Sequence, residues 1–248
     1  MYDWPEVREA TDLWWQNVAR RLGTDVSLSR PEDFTAPWTR EDLLFGQTCG
    51  YPFTHALKGK VKLVATPHYA ADGCEGPSYC SIVMARENKP LETFRNSVAA
   101  VNTPDSMSGM LALKLVFAPL ARGGSFFARA VETGGHLASM AAVQSGAADV
   151  CAVDCVCVAM AKRYRPAALE GLVEIARSPA VPGLPWITRA GDPHAIRVAL
   201  REAFTDEALA PVREALLLSG FSELPVSSYD RIPGLEAEME SDGGLRLL

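Results

Sequence analysis

The chain has 248 residues, 48% of them hydrophobic and 22% charged, and its 24 basic and 30 acidic side chains leave a net charge of −6. That apolar share excludes a disordered or fibrous chain and suffices for a core without covalent staples. The acidic balance speaks against a nucleic-acid footprint, which needs clustered Lys and Arg, and the length admits one large domain or two lobes.

Residues 5–22 read as a helix, with Pro5 near its start, Val7, Trp14, Val18 and Leu22 near one face, and Gly23 as its stop; Leu13 falls on the opposite side. Residues 60–65 alternate with strand period, 79–85 form a second strand, and 97–102 a third that breaks at Thr103-Pro104-Asp105. A helix is expected over about 108–120, a short strand and turn over 126–133, a helix over 135–145 stopped by Gly146, and a buried strand over 149–153. Residues 172–176 look like a strand, and 178–185 are a proline-rich connection. Two helices are expected to finish the fold. One begins at Pro193; the other is capped by Thr205, has Pro211 as a kink or a delayed start, and ends at Gly220. The alternation argues α/β with largely parallel sheets.

No run reaches the ~18–20 apolar residues of a membrane span. Residues 1–9 (Met-Tyr-Asp-Trp-Pro-Glu-Val-Arg-Glu) place acids where a signal peptide carries a basic region and an apolar run, so the chain as written is expected in the cytoplasm. Six cysteines (Cys49, Cys74, Cys80, Cys151, Cys155 and Cys157) include no C-x-x-C pair. They read as small buried hydrophobes, with a thiolate metal site or redox pair at Cys151, Cys155 and Cys157 as the alternative.

Residues 101–110 are the most informative segment. A strand ends, a turn follows, and Ser106, Ser108 and Gly109 stand where the next helix starts. Such an opening points unpaired N–H groups and the positive helix end at one spot, which favours an anion; plain N-capping is the other reading. Residues 133–139 repeat the logic, with His136 in the first turn of another helix. Ligands of open α/β sheets bind beyond the carboxyl ends of strands. There is no G-x-S-x-G elbow or Walker-A sequence, and the four histidines have no metal-ligand spacing.

Residues 46–53 (Gly-Gln-Thr-Cys-Gly-Tyr-Pro-Phe), 76–81 (Gly-Pro-Ser-Tyr-Cys-Ser), 102–109 (Asn-Thr-Pro-Asp-Ser-Met-Ser-Gly), 134–136 (Gly-Gly-His) and 148–154 (Ala-Asp-Val-Cys-Ala-Val-Asp) fall in one order. In that order the chain resembles the phosphate/phosphite/phosphonate substrate-binding proteins of ABC transporters. The resemblance implies a type 2 periplasmic-binding-protein fold, two α/β lobes joined by two hinge crossings with ligand in the cleft between them. One lobe would comprise 1–76 plus 177–248 and the other 77–176. It further implies a small tetrahedral oxyanion as ligand, held by Ser106, the backbone of Met107, Ser108, Gly109 and His136. Tyr51 and Tyr79 would line the cleft, and Asp154 would accept a hydrogen bond from a protonated oxyanion or an amino group. No cofactor or metal is implied, and an ABC-transporter permease is the expected macromolecular partner. A cytoplasmic enzyme or sensor on the same two-lobed fold, acting on a small anionic metabolite, is the alternative.

Overall fold

A computed structural model describes residues 1–33 and 35–247. A 3-10 turn at Pro5–Val7 leads into α1 (Arg8–Arg21), which buries Trp14, Trp15, Val18 and Ala19 and leaves Leu13 exposed on the far side. There follow β1 (Gly46–Gln47), the single turn α2 (Gly50–Thr54), β2 (Lys62–Tyr69), β3 (Cys74–Glu75), β4 (Ser78–Tyr79), β5 (Ser81–Ala85) and β6 (Val98–Val101). The helix expected from 108 starts as a π-helical turn over Met107–Leu111, becomes α3 (Ala112–Phe117) and ends in a 3-10 turn at Ala118–Leu120. Next come β7 (Arg129–Glu132), α4 (His136–Gln144) and β8 (Val150–Asp154).

α5 (Cys155–Tyr164) was not legible as a helix, because its first residues continue an apolar run of strand-like composition. The chain then forms β9 (Val173–Arg177), β10 (Val181–Pro182), β11 (Trp186–Thr188) and α6 (Pro193–Thr205). Asp206 caps the next turn by accepting from the Ala208 N–H at 3.0 Å. Thr205 instead bonds back to the Glu202 carbonyl and ends α6, which corrects the expected cap. α7 (Ala210–Ala215) takes Pro211 in its first turn, where the missing N–H costs nothing. It stops short of Gly220: Leu217 turns the chain at φ +56° and Gly220 lies inside β12 (Leu218–Ser222). A third late helix, α8 (Arg231–Ser241), follows.

The described residues divide into two compact units. The first comprises 1–70, 75–77 and 182–228, the second 71–74, 78–181 and 229–248. The tail 229–247, which the sequence reading assigns to the first lobe, therefore packs in the second. In the first unit the sheet order is β1-β11-β2-β12 with every pairing antiparallel, not parallel as the alternation suggested. Its core is a chain of rings: Trp14–Phe204, Phe204–Phe221, Phe221–Trp186, Trp186–Phe45 and Phe45–Trp15, with centroids 5.0–6.2 Å apart.

The second unit has a five-stranded sheet, β7-β6-β8-β5-β9. β7 and β8 run parallel to β6, whereas β5 runs antiparallel to β8 and β9. β5 and β8 are buried along their whole length, as central strands covered on both faces are. Phe94, Leu113, Phe117 and Phe126 pack on this sheet together with Leu245 and Leu247 from the C-terminus. A small sheet, β10-β4-β3, lies along the segments where the chain passes from one unit to the other. Among the described residues no helix is long and apolar enough to cross a membrane.

Candidate functional site

Because β6, β7 and β8 are parallel, their carboxyl ends fall on one edge of the second unit's sheet; β6 and β7 run through short turns into helices, and β8 passes directly into α5. The first turn is capped by Ser106, whose Oγ accepts from the Gly109 N–H at 3.0 Å. The Leu111 N–H reaches back five residues to the Ser106 carbonyl at 3.0 Å, closing the π turn. Such turns recur at functional positions, since they widen the helix start and redirect its first side chains. Met107 is 1% exposed, its side chain in the core. Gly109 is set by its neighbour: a Cβ there would stand 1.8 Å from Asn102 Oδ1. Asn102 thus needs a glycine beside it, and its Oδ1 is buried without a hydrogen-bond partner among the described residues.

The second turn is braced onto the first. Thr133 Oγ1 donates to the Val101 carbonyl at 3.0 Å and lies 2.7 Å from Ser139 Oγ, while the Gly134 N–H donates to the Asn102 carbonyl at 2.8 Å. These bonds place His136, the first residue of α4, so that its Nε2 is 2.9 Å from Ser108 Oγ. Burial of the ring lowers the His136 pKa to about 4, so the imidazole is neutral at pH 7. The Ala152 carbonyl pulls the other way, although no hydrogen bond of ordinary geometry forms to Nδ1.

Ser106, Ser108, Gly109 and His136 are therefore brought together, as two hydroxyls, a helix start and a neutral imidazole with no cation among them. Asp154 ends β8 where it joins α5, is 1% exposed, and accepts from the Val156 N–H at 2.7 Å, so it caps α5. Tyr79 lies in β4, 3% exposed, two residues before the Ser81 that pairs with Asp154. Tyr51 belongs to the first unit, where its ring stacks on His55 with centroids 3.9 Å apart. Sequence reasoning passed over Asn102 and Thr133, which link the two turns; the only signal at Asn102 is its place directly before a Thr-Pro-Asp turn. Cys151, Cys155 and Cys157 are buried, and among the described residues no group of three or more His, Cys, Asp or Glu is arranged to hold a metal ion.

A family model described as the periplasmic substrate-binding protein of phosphonate ABC transporters matches residues 2–229. The chain belongs to this family. Its members serve a transporter and are not enzymes, and an ABC permease is the partner that membership implies. No curated protein matches the sequence. Among solved structures, the chain is similar to PhnD1 from Prochlorococcus marinus in complex with methylphosphonate, with a TM-score of 0.76, 14% identity and coverage of 94% of each chain. It is also similar to a binding-protein component of an ABC phosphonate transporter from Pseudomonas aeruginosa, with a TM-score of 0.75, 18% identity, and coverage of 94% of this chain and 83% of that one. A Xanthomonas citri protein bound to ATP aligns at a TM-score of 0.67 and 19% identity over 96% of this chain and 94% of that one. At such identities the likeness establishes the fold, a type 2 periplasmic binding protein, and leaves the ligand of this binding protein to its own residues.

Proposed function

We propose that this substrate-binding protein takes a small tetrahedral oxyanion (phosphate, phosphite or a phosphonate) at the joined turns of β6 and β7. The observation that carries the reading is the 2.9 Å contact between Ser108 Oγ and His136 Nε2, where two helix starts meet. The first-turn amides of a helix have no acceptor inside it and present oriented N–H dipoles to an anion. Local dipoles of this kind bind one small anion in a protein of net charge −6, because they act at contact distance while the remote charges are screened. His136, neutral at pH 7, adds a hydrogen-bonding group without the cost of burying an imidazolium. With the ring proton on Nε2, His136 donates to Ser108 Oγ, which leaves the Ser108 hydroxyl proton free to donate to an oxyanion. Ser106 holds the turn in place through Gly109. Tyr51, Tyr79 and Asp154 enter this reading through the family resemblance alone.

Thermal unfolding with phosphate, phosphite, methylphosphonate and sulfate tests it. An anion present at 100 times its dissociation constant adds about 2.7 kcal/mol of stability and raises the midpoint accordingly. The phosphorus oxyanions are expected to do so, and Ser108→Ala combined with His136→Ala to abolish the shift. An unmoved midpoint for all four anions, or an undiminished shift in the double variant, would remove the site.

A further inference from the structure

Three thiols that the ligand site does not use meet at one point of the second unit. Cys74 Sγ lies 3.5 Å from Cys155 Sγ, and the Cys80 thiol is beside them: a Cβ on Gly73 would meet Cys80 Sγ at 2.9 Å and Cys155 Sγ at 3.2 Å. The backbone draws them together: the Cys80 N–H donates to the Gly73 carbonyl at 3.0 Å and the Cys155 N–H to the Cys80 carbonyl at 3.2 Å. Gly73, at φ +99°, makes the approach possible, since a Cβ there would stand 2.9 Å from both Cys155 Cβ and Cys80 Sγ. Three further bonds hold the 71–74 turn. The Cys74 N–H donates to the Ala71 carbonyl, and Arg177 grips both oxygens of Asp72 at 2.7 and 3.0 Å. Cys80 and Cys155 are buried, while Cys74 is partly exposed.

We propose that Cys74 and Cys155 form a reversible disulfide, a modification site separate from the oxyanion reading. Closing a 3.5 Å sulfur separation to the ~2.05 Å of a disulfide is within reach of side-chain rotation at Cys74. The oxidant is a small external disulfide, RSSR. The accessible Cys74 thiolate attacks one sulfur of RSSR, forming a mixed disulfide and releasing RS−. Cys155 then gives its proton to the released thiolate, attacks Cys74 Sγ, and expels the second RS−, which leaves as RSH once it takes up the proton lost from Cys74. Two protein thiols lose two electrons and two protons, and RSSR becomes two RSH. Contact with the neighbouring thiols, and burial after it, push the Cys155 and Cys80 thiols up, while Cys74 is the partly exposed one of the three, which assigns the first attack to Cys74. Cys74 is the last residue before the chain crosses into the first unit, and Cys155 opens α5 directly after Asp154. The bond would tie that crossing point covalently to the start of α5.

Equilibration of the folded protein with oxidised glutathione, an acid quench, and alkylation in denaturant followed by peptide mapping tests the proposal without any ligand. The expected result is the loss of two of the six free thiols and one cross-linked peptide pair joining residues 74 and 155. Cys80→Ser should retain that pair and Cys74→Ser should yield no internal cross-link. Retention of all six thiols, glutathione left on Cys74 without an internal bond, or a wild-type link between Cys80 and Cys155 would each overturn it.

Discussion

At the scale of single residues, His136 carries the sharpest consequence. Its folded pKa of about 4 lies below the ordinary histidine value near 6.5, so between those values the unfolded chain binds more protons than the native one. Stability contributed by the neutral ring is complete above pH ~6.5 and is lost as pH falls toward 4. The loss is on the order of 2 kcal/mol, taken below the full shift because part of the residue reaches the surface. Unfolding in urea at pH 7 and at pH 4.5 should show wild type losing more stability than His136→Gln. Equal losses would mean that the ring is not held neutral.

Elements are where capping chemistry and packing diverge. Asp206 caps through the N–H two residues on, one position past the Thr205 expected from sequence, whereas Ser106 holds its turn through the N–H three residues on, an interaction visible in sequence because it spans four positions. The helix opening at 107 was legible for this reason; its π turn and the need for glycine at 109 were not. The need for glycine depends on Asn102, directly after β6, lying across the turn. Gly109→Ala should therefore destabilise by about 1–3 kcal/mol through overpacking, whereas Gly to Ala in an unobstructed helix stabilises by roughly 0.5–1 kcal/mol. In an Asn102→Ala background the substitution should become neutral or stabilising, and a double-mutant cycle by urea unfolding measures the coupling. An additive pair would show that Asn102 is not the obstacle. α5 illustrates the opposite difficulty, since residues 150–158 are one apolar run and only the Asp154 carboxylate on the Val156 N–H divides strand from helix.

Across the whole molecule, the path of the chain matters more than local pattern. The C-terminal segment returns to the second unit, where Leu245 is 1% exposed among Phe94, Phe117 and Phe126, and the Arg246 N–H donates to the Gly124 carbonyl at 3.0 Å. Leu245→Ala should cost about 2–5 kcal/mol by leaving a cavity. Hydrogen exchange should show the loss of protection in β5, β6 and β8; a change below 1 kcal/mol would mean that the tail is not part of that core.

Periodicity, capping and turn chemistry act over one to seven residues, and they suffice for β2, the strands of the second unit's five-stranded sheet, α1, α4 and α6, and for the helix starts near 107 and 136. The order of those motifs along the chain was enough to suggest the binding-protein family. Strand direction, the allegiance of the tail and the company of each cysteine rest on contacts between segments far apart in sequence. Cys155 sits two positions from Cys157 in the chain, yet its neighbours are Cys74 and Cys80, because the register of β5 on β8 places Ser81 opposite Asp154 and carries Cys80 alongside Cys155. Ser108 and His136 are separated by 28 residues, and the parallel pairing of β6 with β7 brings them within 2.9 Å. Side-chain chemistry sets what each group can donate or accept, and only the packing of distant strands sets which group it meets.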